Sequence, residues 1–190
     1  MPNATSFPPF WEGFSVVSIN ADAAPLQIEL EPNPLHLPRC GSCQQPCSSI
    51  HEYCTRRIRD LPILGRPVVL QVRLRRLSCF RCGQRMEWIS WLQRHARLTQ
   101  RLADAVALCC ARLPTRHVAE MFGLHWGTVR LLERRALEAK LTALSAPQPK
   151  RLVMDEFALY KGHRYASVVL DAETRRVLWI GEGRSRESIR

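Results

Sequence analysis

The sequence lacks any apolar run near the ~18–20 residues a helix needs to cross a bilayer. Its first residues carry neither the basic start nor the apolar stretch of a secretion signal. It shows no internal repeat, which excludes a solenoid or an array. Acidic side chains are few: 17 Asp and Glu stand against 28 Lys and Arg, giving a formal net charge of +11 and a pI near 9.9. Negatively charged partners are favoured, nucleic acid first and an anionic membrane second.

The charge is uneven. Residues 1–38 carry −4, residues 39–101 carry +10, residues 102–151 carry +4 and residues 152–190 carry +1. The excess gathers around two cysteine pairs, Cys40-x-x-Cys43 and Cys79-x-x-Cys82. Eight cysteines without a secretion signal point to a reducing compartment, where paired Cys-x-x-Cys units hold metal more often than disulfides. Zinc takes four soft or borderline ligands, and Cys40, Cys43, Cys79 and Cys82 supply four. Gly41 and Gly83 ease the two bends. A local set of Cys40, Cys43, Cys47 and Cys54, or a substitution by His51, also satisfies the ligand count. Because the two pairs already fill a site, Cys47, His51 and Cys54 read as loop positions. Cys109 and Cys110 lie in a helical pattern and read as packing residues.

Along the chain, residues 1–12 are irregular, with Pro2, Pro8 and Pro9. Phe14 to Ile19 and Leu26 to Leu30 read as short strands around an Asn20-Ala21-Asp22 turn. Val68, Leu70, Val72 and Leu74 alternate with Gln71, Arg73 and Arg75, which predicts a strand with an arginine face leading into Cys79. A metal site fed by strands is a zinc-ribbon arrangement. Over residues 98–113 the spacing turns helical, with Leu98, Leu102, Val106, Cys109 and Leu113 on one stripe, and Pro114 breaks it.

The stretch TRHVAEMFGLHWGTVRLLER predicts a helix, a turn and a second helix. Ala119 is small where helices approach, Gly123 suits a left-handed turn, and Leu124 and Val129 pack the pair. That is helix-turn-helix spacing. With the second helix starting near Trp126, the side chains of His125, Trp126, Thr128 and Arg130 are placed for base edges. Arg134 and Arg135 are better placed for phosphates, and Arg73 and Arg75 extend the basic surface. A plain helical hairpin with a solvated basic face is the alternative.

Residues 146–150 read as a linker. Three strand candidates follow: Leu152 to Asp155, Tyr165 to Leu170 and Val177 to Ile180. Asp171-Ala172-Glu173-Thr174 joins the last two as a hairpin turn. Asp155 closes an apolar run, and a carboxylate at the end of a central strand is placed to hold a metal ion. It is equally well explained as a turn or cap residue. Two-metal phosphodiester chemistry needs several such groups, and only one good candidate stands here.

The order of these motifs resembles the bacterial insertion-sequence transposases that carry a zinc ribbon, a helix-turn-helix and a DDE catalytic domain of the ribonuclease-H type. The two cysteine pairs carry the resemblance, with RDLPILGRPVVLQVRLRRLSC, HARLTQRLADAVALCCARLPTRHVAEMFGLHWGTVRLL and DEFALYKGHRYASVVLDAETRRVLWIGEGRSRESIR. Met86-Glu87-Trp88 departs from the aromatic–Thr step of that pattern, and Gly127 is unusual inside a recognition helix.

The resemblance implies an α+β chain: a lead of strands over 1–38, a zinc ribbon over 39–92, a helix-turn-helix domain over 95–145, a linker over 146–151, and over 152–190 a three-stranded start of a ribonuclease-H-like sheet. It implies structural Zn2+, Mg2+ only in a complete catalytic domain, and double-stranded DNA at transposon ends as partner. It also implies a cytoplasmic, nucleoid-associated setting without a membrane. Asp155 matches the first catalytic Asp, with the second Asp and the Glu expected beyond Arg190, so the chain reads as catalytically incomplete alone. The alternative is a non-catalytic DNA-binding regulator, acting as a homo-oligomer or in mixed oligomers with an intact transposase.

Overall fold

The computed structural model describes residues 10–161 and 164–183. The irregular lead at Pro2, Pro8 and Pro9, Gly162 and His163 of the KGHRY stretch, and residues 184–190 lie outside them. The chain divides into two compact units, Met1–Ala139 and Lys140–Arg190.

The first unit opens with a five-stranded mixed sheet. Strands β1 (Phe14–Asn20), β2 (Leu26–Pro32), β3 (Ile50–Ile63) and β4 (Arg66–Cys79) lie in the order β1-β2-β4-β3, and β5 (Gly83–Met86) pairs with the end of β4. The β1–β2 turn forms as the sequence predicts: the Asn20 side chain accepts hydrogen bonds from the amides of Asp22 and Ala23. These two strands are not a separate lead, because β2 pairs in parallel with β4 from Leu26↔Val68 to Leu30↔Val72. The core explains why. Val68, Leu70, Val72 and Leu74 of β4 are buried with Ile28 and Leu30 of β2, Ile58 of β3, and Trp91 and Leu92. Each such side chain contributes roughly 1.5–3 kcal/mol by leaving water.

Sequence periodicity did not reveal β3. Its fourteen residues include three arginines, a proline and the single fully buried apolar residue Ile58, so no alternation is visible. Pairing with β4 makes it a strand, an override of propensity by tertiary contacts. The tight turn between them is Leu64-Gly65, both at positive φ (49° and 77°), the backbone of a type I′ hairpin.

Three helices complete the unit: α1 (Gln100–Cys110), α2 (Thr115–Phe122) and α3 (Trp126–Ala143). Thr99 caps α1, its hydroxyl accepting from the Leu102 amide, an interaction typically worth ~1 kcal/mol. Pro114 interrupts the chain between α1 and α2, as its missing N–H and fixed φ require. Leu102, Val106, Val118, Ala119, Phe122 and Val129 form a second buried core, with Leu98, Leu124, Cys109 and Cys110 packed against it.

Asp60 of β3 fastens this helical core to the sheet. Its buried carboxylate accepts from Trp11 Nε1 (2.9 Å), Thr99 Oγ1 (2.6 Å), Arg101 Nε (2.7 Å) and the Leu61 amide (2.8 Å). Arg101 also donates a second N–H to it.

The second unit contains the antiparallel meander β6 (Leu152–Tyr160), β7 (Arg164–Asp171) and β8 (Val177–Glu182). The hairpin turn at Asp171 forms as predicted, its carboxylate accepting from the Glu173 amide (3.0 Å) and Thr174 Oγ1 (2.7 Å). The Thr174 hydroxyl, then the Glu173 amide, hold that carboxyl below the usual carboxylate range. No helix of the described residues is long and apolar enough to cross a membrane.

Candidate metal centre and nucleic-acid interface

The two knuckles converge. The Sγ atoms of Cys40, Cys43, Cys79 and Cys82 all lie within 4.8 Å of one another, and Cys43 Sγ stands 3.7 Å from Cys79 Sγ. A tetrahedron with Zn–S bonds of ~2.3 Å has S···S edges of ~3.8 Å, so the cage has the size of a zinc ion. Two elements position it. Cys79 is the last residue of β4, and Gly83 starts β5. The first knuckle is closed by the Gln44 amide donating to the Cys40 carbonyl and the Cys40 amide donating to the Gln45 carbonyl.

The residues after each pair, Gln44 (φ 57°) and Gly83 (φ 69°), are both left-handed, so the knuckles share one turn geometry. Gly41 serves a different purpose from the bend expected of it. Its amide donates to the Met86 carbonyl at 2.9 Å, and a Cβ there would stand 2.4 Å from that oxygen. A larger residue would push the knuckle off β5.

The electrostatics fit a cation. Burial pushes the Cys40 thiol up, but amide N–H groups of Cys43 and Ser42 and the neighbouring thiols outweigh it and bring the thiol down to about 7. Cys82 is pushed up to about 12, first by its hydrogen bond with Cys43, then by burial and by Cys40. Four thiolates this close cannot all carry charge unaided, and a divalent ion removes that obstacle.

The alternative ligands fall away. The Cys47 thiol has the Ser78 carbonyl as its nearer acceptor (3.4 Å), Cys54 packs against the sheet core, and His51 is exposed on β3. Among the described residues the cluster consists of the four predicted cysteines.

Behind the knuckles the structure corrects the expected arginine face of β4. Arg75 is 4% exposed and cannot reach DNA. Its Nε donates to Glu87 Oε2 at 2.8 Å, its amide donates to Glu87 Oε1 at 2.7 Å, and NH1 donates to the His36 carbonyl. Glu87 is itself buried and bridges to Cys40 through the backbone. The unusual Glu87 is thus the counter-charge of an arginine that the strand period turned outward. Arg73 remains exposed but is engaged, with NH1 donating to Glu31 at 3.1 Å and the guanidinium 4.3 Å from the Tyr53 ring centroid.

The helix-turn-helix is present with the predicted turn. Gly123 caps α2 at φ 57°, where a side chain would be strained, and its amide returns to Glu120. The Arg59 guanidinium of β3 donates to the carbonyls of Phe122 (2.9 Å) and Gly123 (2.7 Å), placing a cation at the α2 C-terminus. Sequence reasoning missed Arg59, because nothing in its neighbourhood marks β3 as a strand facing that turn.

His125 precedes α3, and its Nδ1 accepts from the Gly127 amide at 3.2 Å. Gly127 therefore occupies the first turn, where its low helix propensity costs little, rather than the helix interior.

The remaining predicted contacts do not form one face. At about 100° per residue, Trp126, Arg130 and Arg134 share one stripe of α3, and Thr128 and Arg135 lie roughly 150° around it. Trp126 is 56% exposed, and Arg130, Arg134 and Arg135 are exposed. Arg134 donates to Glu138 at 2.8 Å; Arg130 and Arg135 have no ion pair among the described residues.

Asp155 also stands differently from expectation. The strand runs on to Tyr160, so Asp155 lies within β6 rather than at its end, and β6 is an edge of the meander rather than its centre. Asp155 is exposed and pairs with Val168, which pairs with Ile180. Val153 and Phe157 flank it on the same face, so among the described residues no carboxylate adjoins it on that face of the meander.

Comparison with known proteins follows the same order along the chain. A family model described as the zinc-finger of transposase IS204/IS1001/IS1096/IS1165 matches residues 36–85. The helix-turn-helix domain of transposase family ISL3 matches residues 89–132, and a third model, described as a transposase, matches residues 152–190.

The transposase for insertion sequence element IS1001 of Bordetella parapertussis is 43% identical over 184 residues, 95% of this chain and 45% of that protein. The transposase for insertion sequence element IS1557 of Mycobacterium tuberculosis is 25% identical over 172 residues, 88% of this chain and 38% of that protein. The chain thus spans less than half the length of these relatives. No solved structure matches it. A ribbon model over the four-cysteine cage supports structural zinc, and with the two further models and the 43% identity it makes the chain a homologue of insertion-sequence transposases that carries, in order, zinc-ribbon, helix-turn-helix and partial transposase domains.

Proposed function

We propose that the chain binds double-stranded DNA at the ends of an insertion sequence, entering the major groove with α3, and that it does not cut DNA by itself. The observation that carries this reading is the α2–Gly123–α3 unit, whose second helix leaves Trp126 and Arg130 exposed on one stripe while Val129 anchors it in the core. The zinc ribbon would supply a rigid base beside it, held by Cys40, Cys43, Cys79 and Cys82. Mg2+ would belong to a complete catalytic domain, where Asp155 would be one of its carboxylates.

Asp155 alone, exposed and with apolar neighbours, favours a binding role over cleavage. The alternative reading is a regulator that would occupy transposon ends, as a homo-oligomer or mixed with an intact transposase. A cytoplasmic site at the nucleoid follows from that reading.

The test is duplex affinity against salt. Log affinity should fall steeply and linearly with log salt, by about 0.9 for each phosphate neutralised, and Mg2+ should produce no nicking of an end-containing duplex. A flat salt response would sink the DNA reading. Nicking abolished by Asp155→Ala would sink the non-catalytic one.

A further inference from the structure

A cleft of about 600 Å3 opens beside α3 within the first unit. His125, Thr128 and Arg135 line its α3 side; Arg57 of β3 and His95 and Arg97 of the segment before α1 line the other. Among the described residues no carboxylate lines it. Arg57, Arg97 and Arg135 are all exposed, and their guanidiniums have neither an ion pair nor a hydrogen bond to any described residue. Five other exposed arginines, Arg73, Arg76, Arg116, Arg134 and Arg151, each hold a carboxylate, whereas Arg130, across α3 from the cleft, holds none among the described residues.

Like charges around a concavity repel, and here the backbone of three separate elements holds them together. Such a concavity focuses a positive potential that an anion satisfies. With one guanidinium from each of three elements, the charge is spread over the lining of the cleft rather than gathered on one element, which suits an extended polyanion better than a single phosphate. The location is specific too. Thr128 opens onto the cleft from the first turn of α3, the part of a recognition helix that enters the major groove, and the wall of that groove is a phosphodiester strand.

We propose that this cleft holds the backbone of one DNA strand beside the groove occupied by α3, with Arg57, Arg97 and Arg135 each neutralising a phosphate. The zinc-ribbon sheet thereby contacts DNA through the middle of β3. The inference rests on the duplex-binding reading above and adds a composite site to it.

The experiment measures affinity of the full chain for an element-end duplex and an unrelated duplex across a salt series. Four proteins are compared: wild type, Arg57→Ala/Arg97→Ala/Arg135→Ala, the matching triple lysine variant, and Arg76→Ala/Arg116→Ala/Arg151→Ala as an equal loss of charge outside the cleft. The alanine triple should lower the salt slope by nearly 3, at about 0.9 per phosphate contact, on both duplexes alike. The lysine triple should keep the wild-type slope, and the outside triple should change it by less than about 1.

Should the alanine triple unfold, each single alanine variant should lower the slope by about 0.9. Cleft variants with the wild-type slope, or an outside triple that lowers it equally, overturn the proposal. The first of these results would leave the cleft to an acidic peptide, for which Leu98, Leu124 and Leu131 offer an apolar floor. A wild-type protein with a flat salt response overturns the DNA reading and the cleft together, which separates the two failures.

Discussion

At the scale of single residues, two buried carboxylates hold the first unit together, and both sit opposite arginines. Asp60 gathers Trp11, Thr99 and Arg101 around one buried side chain. Burial raises its affinity for a proton, but hydrogen bonds from Arg101, Thr99 and the Leu61 amide, with the Arg101 charge, hold it below the usual carboxylate range. A depressed native value means that its stabilisation is complete above the unfolded value of ~3.9 and is lost as pH falls through the lower native value. Asp60→Asn should therefore cost about 2–4 kcal/mol near neutral pH. In urea titrations the gap to wild type should close in acid. A gap that stays constant with pH would show that the charge contributes nothing. Glu87 is the second case, since it and Arg75 are both buried. Removing one partner of such a pair leaves the other charge bare, so Glu87→Gln should destabilise by roughly 3–5 kcal/mol. Arg75→Met/Glu87→Leu, measured the same way, should recover much of that loss. Neither carboxylate was legible as a partner in the sequence, because the pairs span 41 and 12 positions and belong to no local pattern.

Among the elements, legibility followed period and punctuation. The helix-turn-helix could be read because Gly123, Leu124 and Val129 are local signals, and α1 because Leu102 and Val106 repeat at helical spacing. The cysteine pairs could be read because each knuckle is a local turn, the first closed by Cys40, Gln44 and Gln45 and the second by the pairing of Cys79 with Gly83. β3 was hidden because its partner strand, not its own residues, makes it extended, and the inward turn of Arg75 was hidden with it. Metal binding acts on this sheet locally. The apolar core of Ile28, Ile58, Leu70 and Val72 lies along the strands, whereas the four sulfurs lie at one end of β4. Zinc in small ribbons supplies on the order of 10 kcal/mol, enough to hold two knuckles that bury little themselves. Stripping the ion with a chelator should thus speed amide exchange over residues 39–47 and 79–87 while the far-UV signal of the helices persists. Metal analysis of the untreated protein should find zinc. Unchanged exchange in both knuckles after complete removal would mean that the backbone turns suffice without the ion.

Across the whole molecule, burial is distributed unevenly. The first unit contains both buried cores. In the second, every residue of β6 is exposed, and Leu152, Met154, Phe157, Trp179 and Ile180 remain open to solvent among the described residues. Residues 166, 167 and 171 of β7 are the buried ones there, and two of them, Ser167 and Asp171, are polar. The strand pattern of this unit was readable because Val, Leu and Tyr recur after a linker and around the turn that begins at Asp171. The exposed edge position of Asp155 was not, since strand order depends on pairing that one sequence does not display. Area arithmetic sets the expectation. Ala166, Ser167 and Asp171 remove far less apolar surface from water than the eleven side chains of the sheet core in the first unit. At ~25 cal/mol per Å2, such a meander offsets little of the ~1–2 kcal/mol that ordering each residue costs. Native-state amide exchange should therefore show β4, paired on both sides, as the slowest segment, and β6 and β8 as the fastest strands, opening without unfolding of the first unit. Binding duplex DNA should slow exchange in α3 and leave β6 unchanged. Equal protection of β6 and β4 in the free chain would mean that a surface this open is covered in solution, and sedimentation would then show an assembly larger than one chain.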